Sequence, residues 1–126
     1  MRDERALIVV GPCGVGKSTL VAGLRRAGVP AREVAQEHSQ VPDLFRRHSP
    51  PPALLVFLAA TLPTVRGRRL DAALGAPQYR IERQRLRLAE GTADLVVHTD
   101  GISAEEVLAR VLTGTARIDR ALGGGL

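Results

Sequence analysis

Lysine is almost absent from this chain. Its 126 residues include seventeen arginines and a single lysine, Lys17. Aromatic residues are scarce as well: two phenylalanines, one tyrosine and no tryptophan. That leaves almost no stacking platforms for single-stranded nucleic acid. The formal net charge is +5, but the arginines are spread along the chain instead of forming one block, and an Ala/Arg/Gly/Leu-heavy composition of this kind also arises from codon bias. Nucleic acid is therefore not expected as the main partner. The single cysteine, Cys13, excludes an internal disulfide and makes the cytoplasm the default setting. No apolar run approaches the ~20 residues of a membrane span, so no membrane partner is expected. The N-terminus, MRDERALIVV, is too acidic, and its apolar part too short, for a signal peptide. There is no internal repeat.

What the chain does have is 44% hydrophobic residues and no long polar tract, enough for one domain with its own core. Ala6–Val10, ALIVV, is a β-branched apolar run that stops at a glycine and reads as a buried strand. From Lys17 the pattern turns helical, through Leu20, Val21 and Leu24 to a stop at Gly28. Ala31–Gln36 alternates and reads as a second strand, followed by a loop with one helical turn over Pro42–Arg47 and a triple proline at Pro50–Pro52. Ala53–Ala60, ALLVFLAA, is apolar on both faces, as central parallel strands are. Pro63 fits the first turn of a basic helix, TVRGRRLDAAL. A second basic helix spans roughly Gln78–Glu90, with a weak stripe of Ile81, Leu86 and Leu88. Asp94–Thr99 reads as the fourth strand. Ser103 and Glu106 form a capping box that opens a last helix, expected to end at Gly114, with 114–126 as a tail. Strands alternating with helices predict an α/β fold, a three-layer α/β/α arrangement around a parallel sheet of about four strands. The first and third strands should be neighbours or near-neighbours.

Gly11-Pro12-Cys13-Gly14-Val15-Gly16-Lys17-Ser18 matches G-x-x-x-x-G-K-[ST] in full, with a buried strand before it and an amphipathic helix after it. Glycines let successive N–H groups turn into one concavity. The helix that starts there presents its unpaired N–H groups to an anion. Lysine puts a compact, flexible charge on the β- and γ-phosphates of a nucleotide, where arginine's wide planar group would crowd the loop. The only lysine of an arginine-using chain thus stands where the two are not interchangeable, and its side chain is expected to be exposed before nucleotide binds. Ser18 offers a hydroxyl to Mg²⁺, a cation of hard oxygen ligands. The nucleotide-binding candidates are Gly11, Cys13, Gly14, Val15, Gly16, Lys17, Ser18 and Thr19. Cys13 itself reads either as a small filler or as a reactive thiol at a helix N-terminus.

On this loop, and on the order of elements behind it, the chain resembles the P-loop nucleoside-triphosphate-binding superfamily. The branch it resembles most is the small kinases of the adenylate, shikimate and gluconate kinase type. The resemblance implies a P-loop fold over 1–126, ATP and Mg²⁺ as cofactors, and transfer of the γ-phosphoryl group to a small-molecule acceptor. By resemblance, Arg66, Arg68 and Arg69 are lid arginines for the transferring phosphate. Thr99, Asp100, Gly101 and Ile102 are candidates to contact the base. The bland alternatives are a solvated helix face for the arginines and a plain turn at Asp100-Gly101. His98 at a strand end reads as structural more readily than catalytic.

A phosphoryl-transfer enzyme also needs a carboxylate for the metal or the acceptor proton. No apolar strand here ends in a clean aspartate. In the small kinases an acidic pair often closes the second strand, and Glu37 stands at that place, with Asp43 as the second choice. Glu37 is expected at the carboxyl edge of the sheet, where parallel sheets bind ligands; the alternative is a surface acid. The chain is short for this group, so an acceptor-binding subdomain and one strand are expected to be reduced or absent. A homo-oligomer in which a neighbouring subunit completes the pocket stays open. With no second lysine there is no N-K-x-D motif for guanine, which favours ATP. The weak inventory of acids keeps two other readings in play: an ATPase or nucleotide-sensing switch, and a nucleotide-binding module without chemistry.

Overall fold

A computed structural model of the chain describes residues 6–47, 53–69 and 75–121, with Arg69 described by its backbone alone. Four strands carry the fold: β1 Leu7–Val10, β2 Ala31–Glu33, β3 Leu54–Ala59 and β4 Leu95–His98. Five helices surround them: α1 Lys17–Arg26, α2 Leu44–Arg47, α3 Leu62–Arg69, α4 Ala76–Thr92 and α5 Ala104–Ala121, with a 3₁₀ turn at Gln36–His38. The sheet is parallel throughout, in the order β2-β1-β3-β4, so the first and third strands are direct neighbours as expected.

The two central strands alternate between two cores. Leu7, Val9, Val56 and Leu58 face a layer that includes Leu20, Leu24, Val107 and Val111 of α1 and α5. Ile8, Val10, Leu55 and Phe57 face the opposite layer, with Phe45 of α2 and Leu86 and Ala89 of α4. Burial on both faces is why these segments are continuously apolar in sequence. Because every pairing is parallel, the carboxyl ends of all four strands lie at one edge of the sheet.

Three expectations change. The second strand stops at Glu33, because Gln36 is fully buried and its amide serves the following loop. Its Oε1 accepts from the Phe45 N–H at 3.0 Å and its Nε2 donates to the Val41 carbonyl at 2.7 Å. The buried stripe of α4 is Tyr79, Glu82, Leu86 and Ala89, whereas Ile81 is exposed. The last helix does not stop at Gly114 but runs to Ala121. Gly114 is a packing residue there: a Cβ would lie 2.8 Å from Leu95 Cδ2, so the missing side chain lets α5 lie close to β4. The expected helical segment beyond Arg69, Leu70–Leu74, lies outside the described residues. Among the described residues no helix is long and apolar enough to cross a membrane.

Candidate active site

β1 ends in the phosphate loop. Gly11 touches the neighbouring strand so closely that a Cβ would fall 2.5 Å from the Leu58 carbonyl oxygen. Gly16 sits at φ 107° and caps α1 without any side-chain hydrogen bond. Its carbonyl accepts the Leu20 N–H at 3.0 Å, so the N–H groups of residues 17–19 precede the helical ladder. Val15 is buried in the core and anchors the loop's turn. The result is a cluster of uncapped donors at the head of a ten-residue helix, the arrangement that binds phosphate.

Lys17 is not exposed, contrary to expectation; only 6% of it is accessible. Its Nζ donates to Glu37 Oε2 at 2.7 Å, to the Gly11 carbonyl at 2.8 Å and to the Pro12 carbonyl at 3.1 Å. Three acceptors fold the lysine back under its own loop, which explains the burial. Glu37 is equally buried, on the 3₁₀ turn that follows β2. Its second oxygen, Oε1, has no hydrogen-bond partner among the described residues. A buried carboxylate oxygen without a donor is costly unless a cation or water completes it.

Two further carboxylates touch the loop, and neither stood out in the sequence. Glu33, the last residue of β2, accepts the Ser18 hydroxyl at 2.6 Å. Glu82, buried on α4, accepts the Cys13 N–H at 3.2 Å. Reading the second strand through to Gln36 hid Glu33. Glu82 was legible in principle, as the polar member of the 79-82-86-89 stripe. α4 also reaches the acid turn itself, through Arg85 Nη1 to the Glu37 carbonyl at 3.4 Å.

The opposite flank of the loop is built around Arg68. Its guanidinium donates to the Val15 carbonyl at 3.0 Å and to the Thr99 hydroxyl at 2.7 Å, and also to the Thr99 carbonyl. Thr99 is fully buried and in turn bonds the Ala59 carbonyl through its N–H and its hydroxyl. This ties the end of β4, α3 and the loop together. A cavity of about 300 Å³ lies there, lined by Gly14, Gly16, Thr19, Arg68, Ile102 and Val107. Asp100 braces the same corner: its Oδ1 accepts the Thr61 N–H at 2.9 Å and the Thr61 hydroxyl at 3.0 Å, just before α3. Hydrogen bonds from the Thr64 hydroxyl first, then the Thr61 N–H, lower its pKa from 3.8 to about 2. Gly101, at φ 73°, completes the turn.

The structure thus brings Lys17, Glu37 and Cys13 together, while the Ser18 hydroxyl bonds Glu33 instead. It does not bring Asp43 to them by any bond: that carboxylate pairs with Arg47 along α2, at 3.4 Å. Arg66 is half-buried and engaged by other groups. The Arg69 side chain lies outside what is described. Among the described residues, Arg68 bonds Val15 and Thr99. A second cavity, about 240 Å³, opens on the other side, between α4 and the ends of β3 and β4; Pro12, Tyr79, Arg83, Glu90, His98 and Asp100 are among its walls.

The donor set fits both halves of a nucleotide–metal complex. The uncapped N–H groups and Lys17 suit phosphates. Ser18, Glu33 and Glu37 offer hard oxygens, and the partnerless Oε1 of Glu37 marks where a hydrated Mg²⁺ would find an acceptor.

The fold as a whole is similar to a solved structure, the crystal structure of a gluconokinase from Sinorhizobium meliloti 1021. The TM-score is 0.68 at 15% identity, and the match covers 99% of each chain. No protein-family model and no curated protein matches the chain. The likeness therefore lies in the fold alone: a parallel α/β domain with a glycine-rich loop after β1.

Proposed function

We propose that the chain is an ATP-dependent small-molecule kinase. The observation that carries this reading is the buried Lys17–Glu37 pair, 2.7 Å long, at the head of an uncapped helix. A lysine and a carboxylate held together under a phosphate loop are two catalytic groups waiting on one ligand. The full-length likeness to a gluconokinase supports a kinase over other uses of the loop.

Nucleotide phosphates enter against the N–H groups at the head of α1 and offer Lys17 a stronger acceptor than Glu37. The ammonium turns from the carboxylate to the phosphates, where it stabilises charge as the γ-phosphoryl group leaves. Release from Lys17 frees Glu37 for the water shell of Mg²⁺ or for the acceptor hydroxyl. Mg²⁺, when bound, neutralises phosphate charge, with Ser18 as its protein hydroxyl and Glu33 holding that hydroxyl in place. Glu82 fixes the turn of the loop by its bond to the Cys13 N–H. The cavity bounded by Gly16, Arg68 and Ile102 takes the base, with Thr99 holding Arg68 at its wall. The cavity between Pro12, Arg83 and His98 takes the acceptor. Its mixture of cationic and hydrogen-bonding side chains suits a small polyhydroxy or acidic molecule.

The test is transfer of label from γ-³²P-ATP to a panel of sugars, sugar acids and nucleosides. A kinase gives labelled product with one acceptor class, and ADP release that depends on it. The runner-up, an ATPase or nucleotide-sensing switch, rests on the short β2–β3 connection, which offers little chain for an acceptor subdomain. It requires slow ADP release that no acceptor accelerates.

A further inference from the structure

Beside the phosphate loop the chain gathers three side chains that the kinase reading leaves unexplained as a group. Cys13 from the loop, and Glu37 and His38 from the 3₁₀ turn, each present one ligand atom, and these atoms lie within 4.8 Å of one another. We propose that they form a binding site for a soft divalent cation such as Zn²⁺, which holds the loop in its nucleotide-free arrangement.

Three observations converge on it. The donor chemistry is thiolate, imidazole and carboxylate, the set that selects zinc-like ions over Mg²⁺. The carboxylate is buried and has one oxygen committed to Lys17 while the other, Oε1, has no partner among the described residues. It can take a cation without breaking its ion pair. The site also has an entrance, because His38 is 55% exposed while its Nε2 already approaches Glu37 Oε2 at 3.6 Å. Bonds of about 2.0–2.3 Å would draw the three donors somewhat closer together, a contraction for which the Cys13 and His38 side chains would both have to turn. The fourth position faces water.

The backbone is prepared for the same purpose. α4 holds the Cys13 N–H through Glu82 and the Glu37 carbonyl through Arg85. One helix therefore fixes both segments that carry the ligands. Binding displaces the thiol proton: Cys13 loses H⁺ as the sulfur–metal bond forms.

The consequence is a competition. With the metal on its carboxylate, Glu37 is withheld from the water shell of MgATP and Cys13 is pinned in the loop that must receive the phosphates. Metal and MgATP then exclude each other. Metal binding itself does not depend on the kinase reading; only the competition does.

Co²⁺ is the probe, because a cobalt–thiolate bond has a near-ultraviolet charge-transfer band. The full chain, kept reduced without a chelating thiol, is titrated with Co²⁺ alone. The expected result is a band that saturates at one ion per chain, is displaced by Zn²⁺, and is absent in Cys13→Ser. His38→Gln should keep the fold, judged by circular dichroism, yet bind Co²⁺ roughly 10- to 100-fold more weakly, at least the loss that follows removal of an outer-shell partner. No band at stoichiometric Co²⁺ overturns the site. So does a band equally strong in His38→Gln, which would mark a lone-cysteine adduct. MgATP added to the cobalt form should bleach the band. A band that survives saturating nucleotide overturns the competition while leaving the metal site standing.

Discussion

The two flanks of the phosphate loop are built from opposite charges. On the β2 side, carboxylates hold the loop's donors: Glu33 takes the Ser18 hydroxyl, Glu37 the Lys17 ammonium and Glu82 the Cys13 N–H. On the β4 side a guanidinium, Arg68, holds a loop carbonyl and the end of the strand. The acid flank mimics the anion. On the proposed function, it supplies negative oxygens to groups that phosphate would claim, so it would give way when ligand arrives. Among the described residues, the Arg68 flank bonds the Val15 and Thr99 backbone and the Thr99 hydroxyl, groups that phosphate would not need on the proposed function, so it could stay as it is. The difference separates a part that switches from a part that frames.

Removing Lys17 should break the comparison most severely. In Lys17→Met the buried Glu37 loses its counter-ion, and loss of one partner from a buried pair costs about 3–5 kcal/mol. Chemical denaturation should show that loss, and adding Glu37→Gln should recover much of it. Phosphoryl transfer should fall by roughly 10²–10³-fold in either background, the scale of one missing preorganised donor. Equal stability of Lys17→Met and wild type would mean that the pair is not a buried one in solution.

Glu37→Gln alone probes the switching flank with the lysine intact. ATP should still bind, and Lys17, released from its carboxylate, should bind phosphate at least as well. Turnover should fall by roughly 10²-fold, the usual scale for a lost general base. Isothermal titration alongside steady-state kinetics separates the two effects. Asp43→Asn, whose carboxylate serves only Arg47 among the described residues, should turn over normally.

Arg68→Ala tests the framing flank, and its effect should differ in kind. The KM for ATP should rise by about tenfold, while kcat moves little, because the contact is made equally in ground and transition states. A kcat collapse with unchanged KM would place Arg68 over the transferring phosphate after all.

The smallest effect belongs to Asp100. Its pKa is lowered in the fold to about 2, so its bonds to Thr61 and Thr64 favour the native state above about pH 4. That contribution disappears as pH falls toward 2. Asp100→Asn should be slightly less stable than wild type at pH 7 and should converge with it toward pH 2, a difference thermal melts across that range can read.

Much of this was legible in the sequence, for identifiable reasons. The strands were visible because burial on both faces leaves continuous apolar runs at Leu7–Val10 and Leu54–Ala59. The loop was visible because chemistry dictates its residues. Glu37 was expected to close a strand through Gln36; it sits instead on the 3₁₀ turn Gln36–His38, four residues beyond that strand's true end, and meets Lys17 there. What stayed hidden depends on tertiary contact. Nothing local distinguishes Glu33 from a solvated acid until β2 meets the loop, and Glu82 shows only as the polar member of the buried α4 stripe. Gly114 carries the signature of a helix stop, and only the nearby Leu95 side chain shows why a glycine lies inside a helix. The burial of Lys17 likewise depends on a partner twenty residues away.

The central claim is that nucleotide takes Lys17 from Glu37. A crystal structure with Mg²⁺ and a non-hydrolysable ATP analogue tests it most directly. The account predicts the 2.7 Å contact opened, Lys17 Nζ at hydrogen-bond distance from the β- and γ-phosphates, and Glu37 turned to the metal's water shell. A nucleotide seated on the loop with the Lys17–Glu37 pair still closed would contradict it.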